Sequence, residues 1–142
     1  MVKFNAQEFL QLGLNLVNSE PNEAGYRTAI NRVYYACFLI GRESTYRKGW
    51  FPLIKYDGTD HSALQRALRH TNLGSKLRTL YELREHADYH IDPEQQPPNT
   101  RCSYCRTQTD IAPLVDEGTW ERAKAIAGNI LPRLQNISPR TS

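Results

Sequence analysis

The sequence predicts an all-α protein built as a helical bundle. Apolar residues recur three and four positions apart in several segments, whereas the alternation typical of strands is absent almost everywhere. The 39% hydrophobic and 23% charged content is that of an ordinary globular chain, which argues against wholesale disorder. A chain of 142 residues is about one domain long. We therefore expect residues 1–142 to form a single helical domain.

The first two helices are predicted over residues 6–17 and 23–45. In residues 6–17 the apolar side chains share one face at helical spacing. The Ser-Glu-Pro-Asn stretch at residues 19–22 is a turn signal between the two helices. The second helix carries an apolar stripe of Tyr26, Ile30, Val33, Cys37 and Ile40. Tyr34 and Cys37 are both expected to be core residues, the latter as an inert thiol.

Two further helices are predicted over residues 59–69 and 72–91. Pro52 and the Asp-Gly pair at residues 57–58 break the chain ahead of them. The longer helix carries an apolar stripe of Leu73, Leu77, Leu80, Ala87 and Ile91, with Leu83 beside it. Pro93 limits this helix, because the residue before a proline avoids helical torsions.

A long proline-rich loop is predicted over residues 92–113, ahead of a last helix at residues 119–135. The loop contains four of the prolines of the chain. A loop of this length inside a compact domain is usually functional, disordered or held by something. In the last helix the three-four repeat consists of Trp120, Ala123, Ala127, Ile130, Leu134 and, just beyond it, Ile137.

The charge is distributed unevenly along the chain. The net charge of +3 arises from 18 Lys and Arg against 15 Asp and Glu. Residues 24–84 hold eleven of these bases and only four of the acids. Most of the bases are arginine, whose planar guanidinium suits phosphate and carboxylate. The pattern is compatible with an anionic partner such as RNA, and also with an ordinary solvated helix surface.

Three short motifs follow one another along the chain. Residues 32–36 read R-V-Y-Y-A, residues 60–64 read D-H-S-A-L, and residues 84–89 read R-E-H-A-D-Y. In this order and spacing the chain resembles the HEPN family of small helical bundles, in the group with an R-x-Y-Y-A helix and an R-x-x-A-D-Y helix. The resemblance covers about residues 4–91 and the last helix. It implies a four- or five-helix up-and-down bundle that forms a homodimer.

The resemblance also implies an activity on RNA. Many HEPN proteins are metal-independent endoribonucleases of toxin–antitoxin or defence systems, and their active site pairs an Arg with a His four to six residues later. Arg84 and His90 match these positions. In this chemistry a 2′-hydroxyl attacks the adjacent phosphorus, His90 moves the proton and Arg84 stabilises charge on the phosphoryl oxygens. The residues expected to line the cleft or contact RNA are Arg32, Tyr35, Asp88 and Tyr89.

A second reading is a HEPN module without catalysis, which binds RNA, a nucleotide or a partner protein. In this family the protein partner is often a small nucleotidyltransferase that acts as antitoxin. Glu85 follows Arg84 where several active members have Asn or another polar residue, and an acid beside the cleft repels phosphate. On an ideal helix the side chains of Arg84 and His90 also point about 120° apart around the helix axis, so they do not face the same site. Asp88 can pair with Arg84 four residues earlier or with Arg32 on a neighbouring helix.

An independent constellation predicts a metal site. His86 and His90 lie four residues apart on one helical face, and Cys102 and Cys105 form a C-x2-C pair in the long loop. Two imidazoles and two thiolates are a closed tetrahedral zinc set, and a metal would hold a loop of this length in order. Without metal, the same residues are exposed histidines and loop cysteines. Zinc competes with catalysis, because a zinc-bound His90 cannot move protons, and a zinc-stapled interaction protein is thus a third reading.

Several other classes of protein are disfavoured. The chain has no P-loop, no G-x-S-x-G turn and no G-x-G-x-x-G turn, which argues against nucleotide hydrolysis, α/β-hydrolase chemistry and Rossmann cofactor binding. The longest apolar stretch, residues 33–40, is too short to cross a bilayer. No secretory signal is visible, and three cysteines fit a reducing compartment. We therefore expect a cytoplasmic protein with no membrane partner.

Overall fold

The computed structural model describes residues 4–51, 55, 57–95, 102–106 and 113–137. Every regular element in these ranges is helical, which confirms the predicted all-α class. The helices are α1 (Gln7–Ser19), α2 (Glu23–Arg47), α3 (Asp60–Ala67), α4 (Leu73–Tyr89), α5 (Ser103–Arg106) and α6 (Glu117–Gln135). A 3₁₀ turn, Pro93–Gln95, follows α4.

The five predicted helices begin and end within two residues of the observed ones. The largest N-terminal difference is at α6, which begins before residue 119 because Asp116 and Thr119 form a capping box. The Asp116 carboxylate accepts a hydrogen bond from the backbone N–H of Thr119 at 2.8 Å. The predicted loop over residues 92–113 contains the 3₁₀ turn and the single helical turn α5. Its residues 96–101 and 107–112 lie outside the described residues.

Helix α2 is at the centre of the fold and packs against α1, α3, α4 and α6. Helix α4 also packs against α3 and α6, and the end of α4 meets α5. Helix α1 approaches α2 closely at Gly13, where a Cβ atom would lie 3.0 Å from Cγ1 of Val33 and 3.1 Å from the Ala29 carbonyl oxygen. This crossing therefore depends on the missing side chain of Gly13.

The core lies between α2, α4 and α6. Its fully buried side chains include Ile30, Val33, Tyr34, Cys37, Leu77, Leu80, Leu83, Ile130 and Leu134. Tyr34 and Cys37 are thus core residues, as predicted. Burial raises the pKa of the Cys37 thiol to about 12, so this cysteine stays protonated and unreactive. None of the helices in the described part of the chain combines the length and apolar character that a membrane crossing needs.

Candidate metal centre and arginine–tyrosine cluster

Four potential metal ligands converge where the end of α4 meets α5. His86, His90, Cys102 and Cys105, here called the His–Cys cluster, each offer one ligand atom, and these atoms all lie within 4.8 Å of one another. Nδ1 of His86 lies 3.2 Å from Nδ1 of His90. The four distances between these nitrogens and the two sulfur atoms range from 3.3 to 3.6 Å. The predicted cluster could therefore hold a metal ion.

The spacing of these atoms fits a tetrahedral zinc site. Zinc–sulfur bonds of about 2.3 Å and zinc–nitrogen bonds of about 2.0–2.1 Å give tetrahedral edges of roughly 3.6 Å between nitrogen and sulfur and roughly 3.3 Å between two nitrogens. The observed separations are within a few tenths of an ångström of these edges. The donor set, two imidazoles and two thiols, is also one that zinc prefers.

The backbone around the cluster prepares His86 as a ligand. Nε2 of His86 lies 2.9 Å from the carbonyl oxygen of Leu114. A carbonyl oxygen only accepts, so the ring proton lies on Nε2 and the lone pair of Nδ1 points into the cluster. Burial lowers the pKa of both His86 and His90, which favours the neutral imidazole that a metal requires.

The two cysteines form a compact knuckle. Cys102 directly precedes α5 and Cys105 lies within it, so the backbone N–H of Cys105 donates to Sγ of Cys102 at 3.4 Å. Cys105 is buried and Cys102 is half-buried. Burial raises the pKa of the Cys102 thiol. A bound divalent cation would offset this effect and hold the sulfur as thiolate.

Arg27 of α2 supports the end of α4, a role that the sequence analysis did not predict. Its guanidinium donates to the carbonyl oxygens of Ala87 at 2.8 Å and His90 at 3.0 Å. The carboxylate of Glu23, one turn earlier in α2, forms an ion pair with Nη2 of Arg27 at 2.8 Å. The same carboxylate accepts a hydrogen bond from the backbone N–H of Val115 at 3.4 Å. The spacing of Glu23 and Arg27 predicts an ion pair, but not its contact with α4.

Arg84 lies inside a second group of side chains, the arginine–tyrosine cluster. Only 5% of Arg84 is exposed. Its Cζ atom lies 5.0 to 5.8 Å from the ring centroids of Tyr34, Tyr35, Tyr81 and Tyr89. Nη1 donates to Asp88 at 3.3 Å, so the predicted ion pair is confirmed, although Arg84 is buried and not at the surface.

Of the two ion pairs that the sequence left open for Asp88, the one with Arg32 does not form. Asp88 accepts hydrogen bonds from Asn31 at 2.9 Å and from Arg84 instead. The Arg32 guanidinium donates to the side-chain oxygen of Asn31. Its Cζ atom lies 4.8 Å from the ring centroid of Phe9. The Asn31 amide therefore lies between Arg32 and Asp88.

The two residues predicted to be catalytic have different contacts in the structure. Arg84 contacts Asp88, Tyr35 and Tyr89, three of the predicted cleft residues, whereas Nδ1 of His90 points into the His–Cys cluster. No hydrogen bond or ion pair between Arg84 and His90 is found in the described part of the chain. The remaining predicted cleft residue, Arg32, contacts Asn31 and Phe9.

Comparison of the chain with protein-family models, with curated proteins and with solved structures finds no match. The resemblance to HEPN proteins therefore depends on the three sequence motifs.

Proposed function

We propose that the chain is a zinc-stapled HEPN-type module that binds RNA without cleaving it. The observation that carries this proposal is the convergence of four ligand atoms, Nδ1 of His90 among them, within 4.8 Å of one another. An imidazole that binds a metal through one nitrogen carries its proton on the other. Such a ring cannot take a proton from a 2′-hydroxyl, so His90 acts as a ligand and not as a general base.

Contacts between arginines and aromatic rings support RNA as the partner. Cζ of Arg32 lies 4.8 Å from the ring centroid of Phe9, which is half-buried. Tyr89, beside Arg84, is 67% exposed. Single-stranded RNA is bound by such combinations, in which cations neutralise phosphates and aromatic rings stack on bases. The basic excess of residues 24–84 is on the helices that carry these side chains.

The proposal also covers the oligomeric state of the protein, its protein partner and its cellular compartment. The HEPN resemblance supports an up-and-down bundle, a homodimer and a nucleotidyltransferase as a further partner. Thiolate ligands persist in a reducing compartment, which supports the cytoplasm. Sedimentation of the zinc-loaded protein tests the dimer, with twice the mass of the 16.4 kDa chain expected.

The test compares metal content, RNA binding and RNA cleavage in the same preparation. We expect about one zinc per chain, an RNA complex in fluorescence anisotropy, and intact total RNA after incubation with or without EDTA. The Arg84→Ala, His90→Ala double variant is the test variant, and Arg78→Ala, His70→Ala, which changes two exposed residues, is its matched control. Cleavage in EDTA by the wild type and the control but not by the test variant would contradict the proposal and establish a metal-independent endoribonuclease.

A further inference from the structure

The three sequence motifs meet in space around the Arg84 guanidinium. The Tyr34 hydroxyl of α2 lies 2.5 Å from Nδ1 of His61, which is on α3. The ring centroid of His61 lies 5.2 Å from that of Tyr81 on α4. Cζ of Arg84 lies 5.4 Å and 5.0 Å from the ring centroids of Tyr34 and Tyr81. His61 therefore belongs to the arginine–tyrosine cluster, a contact that the sequence analysis did not predict.

The Tyr34 hydroxyl fixes which nitrogen of His61 carries the proton. Tyr34 is fully buried and burial raises its pKa, so the hydroxyl keeps its proton and needs an acceptor. Nδ1 of His61 is the hydrogen-bond partner of this hydroxyl among the described residues. Nδ1 is therefore the acceptor, and the proton of the neutral ring lies on Nε2. His61 is half-buried, and its Nε2–H donates to no residue that the structure describes.

The Arg84 guanidinium has one occupied side and one free edge. Nη1 donates to Asp88, whereas Nε is buried without a hydrogen-bond partner. Nη2 likewise has no hydrogen bond to any residue that the structure describes. In Arg27 the same two atoms, Nε and Nη2, donate to the Oε2 atom of the Glu23 carboxylate at 3.0 and 2.8 Å. This edge of a guanidinium therefore suits an anion. A buried donor without an acceptor is costly, and an anion with two oxygens would satisfy it.

We propose that Nε2–H of His61 and the free edge of Arg84 together bind a phosphate group of a nucleotide unit. For the identity of the ligand as RNA this inference rests on the proposed function. Neutral His61 supplies a hydrogen bond, and Arg84 supplies the charge and the paired donors that suit phosphate.

The other charged groups that act on His61 decide how strongly the phosphate binds. Arg42 favours an anion, whereas Asp60 and Glu85 oppose one. Asp60 is buried, and its carboxylate accepts a hydrogen bond from the backbone N–H of Lys55 at 3.1 Å. Asp60 acts on His61 more strongly than Glu85 does, but Glu85 is half-buried and can be replaced without removing a buried carboxylate. Glu85 should therefore weaken the binding of phosphate.

Variants at His61 and Glu85 test the subsite in the zinc-loaded full chain. Fluorescence anisotropy with a labelled single-stranded RNA gives the Kd. His61→Asn keeps an acceptor for the Tyr34 hydroxyl but removes the Nε2 donor, and should weaken binding about tenfold, as expected for one lost hydrogen bond to a charged group. Glu85→Gln should strengthen binding, because it removes a charge that repels phosphate.

His70→Asn is the matched control, because His70 is exposed and contacts Trp50 rather than Arg84. We expect it to leave the Kd unchanged. The subsite is wrong if His61→Asn binds RNA as the wild type does, or if the variants at His61 and His70 weaken binding equally.

The wild-type protein gives a second readout that needs no variant. The imidazole NMR signals of His61 are followed against pH, first alone and then with inorganic phosphate, a nucleoside monophosphate or the RNA. A bound phosphate favours the imidazolium form, so the midpoint of the His61 titration should move to higher pH. If RNA binds while this midpoint stays fixed, the subsite is wrong and RNA binding stands. If phosphate moves the midpoint while RNA does not bind, the subsite stands and the proposed RNA function is wrong.

Discussion

His86 has a different kind of partner on each of its ring nitrogens. The Leu114 carbonyl oxygen accepts from Nε2, and Nδ1 lies 3.4 Å from Sγ of both Cys102 and Cys105. Because the carbonyl fixes the tautomer, this ring presents a lone pair to the two sulfur atoms before any metal binds. The same bond ties the segment ahead of α6 to the end of α4, so His86 is both a candidate ligand and a structural link.

Replacing one cysteine of the His–Cys cluster should remove the metal. We expect Cys105→Ala to lower the zinc content from about one per chain to well below one, because a structural zinc site needs all four ligands. Metal analysis of the dialysed protein measures this. Cys37→Ala is the control: it removes a buried thiol from the core and should reduce the free energy of unfolding by about 1–2 kcal/mol while leaving the zinc content unchanged. Equal zinc in both variants would contradict the assignment.

Protonation of His61 should make the folded state less stable as the pH falls. Burial and the Arg84 charge lower the His61 pKa from 6.5, so the unfolded chain binds a proton more readily than the folded one. The stabilisation is fully present above about pH 6.5 and is lost as the pH falls toward the lowered folded value. Urea unfolding of zinc-loaded protein should show that the stability advantage of the wild type over His61→Asn decreases between about pH 7.5 and pH 5.5. An advantage that is independent of pH would contradict this assignment.

At the scale of helices, local signals account for most of what the sequence predicted. Apolar spacing and proline positions placed five helices to within two residues, because both act between neighbours in the chain. The spacing of His86 and His90 likewise predicted one half of the metal cluster. The contact of Arg27 with the Ala87 carbonyl, 60 residues away, was missed, because it depends on which helix ends become neighbours. For the same reason the sequence could not decide between Arg84 and Arg32 as the partner of Asp88.

The capping box at the start of α6 should contribute measurably to stability. The Asp116 carboxylate accepts from Thr119, and these hydrogen bonds lower the pKa of Asp116. We expect Asp116→Ala to reduce the free energy of unfolding by about 1 kcal/mol, the usual value of an N-cap residue, and Asp116→Asn to retain most of it. Chemical denaturation of both variants measures the difference. Equal losses for Ala and Asn would show that the hydrogen bond to the helix N-terminus is not the cause.

At the scale of the molecule, several links join one end of the fold, beside the hydrogen bond of His86 to the Leu114 carbonyl oxygen. Arg27 ties α2 to the end of α4, and Glu23 ties α2 to the segment before α6 at Val115. The His–Cys cluster ties α4 to α5, which lies between residues outside the described ranges. The first two links are hydrogen bonds that exist without metal. Helix α5 also packs through Tyr104, whose ring centroid lies 5.5 Å from that of His86 and 5.6 Å from Cζ of Arg122. A metal should add to these contacts in fixing the position of α5.

Removing the metal should therefore lower the melting temperature without unfolding the protein at room temperature. At a free zinc concentration about 100 times the Kd, binding stabilises the folded state by about 2.7 kcal/mol, which corresponds to roughly 10 °C for a chain of this size. Calorimetry with and without a chelator measures the shift. The Cys102→Ser, Cys105→Ser double variant should melt near the chelated wild type and show no response to the chelator, whereas Cys37→Ala should retain the full response. An unchanged melting temperature of the wild type would mean that the cluster holds no zinc, and His90 would then be free to move protons, so that cleavage of RNA would again be the expectation to test.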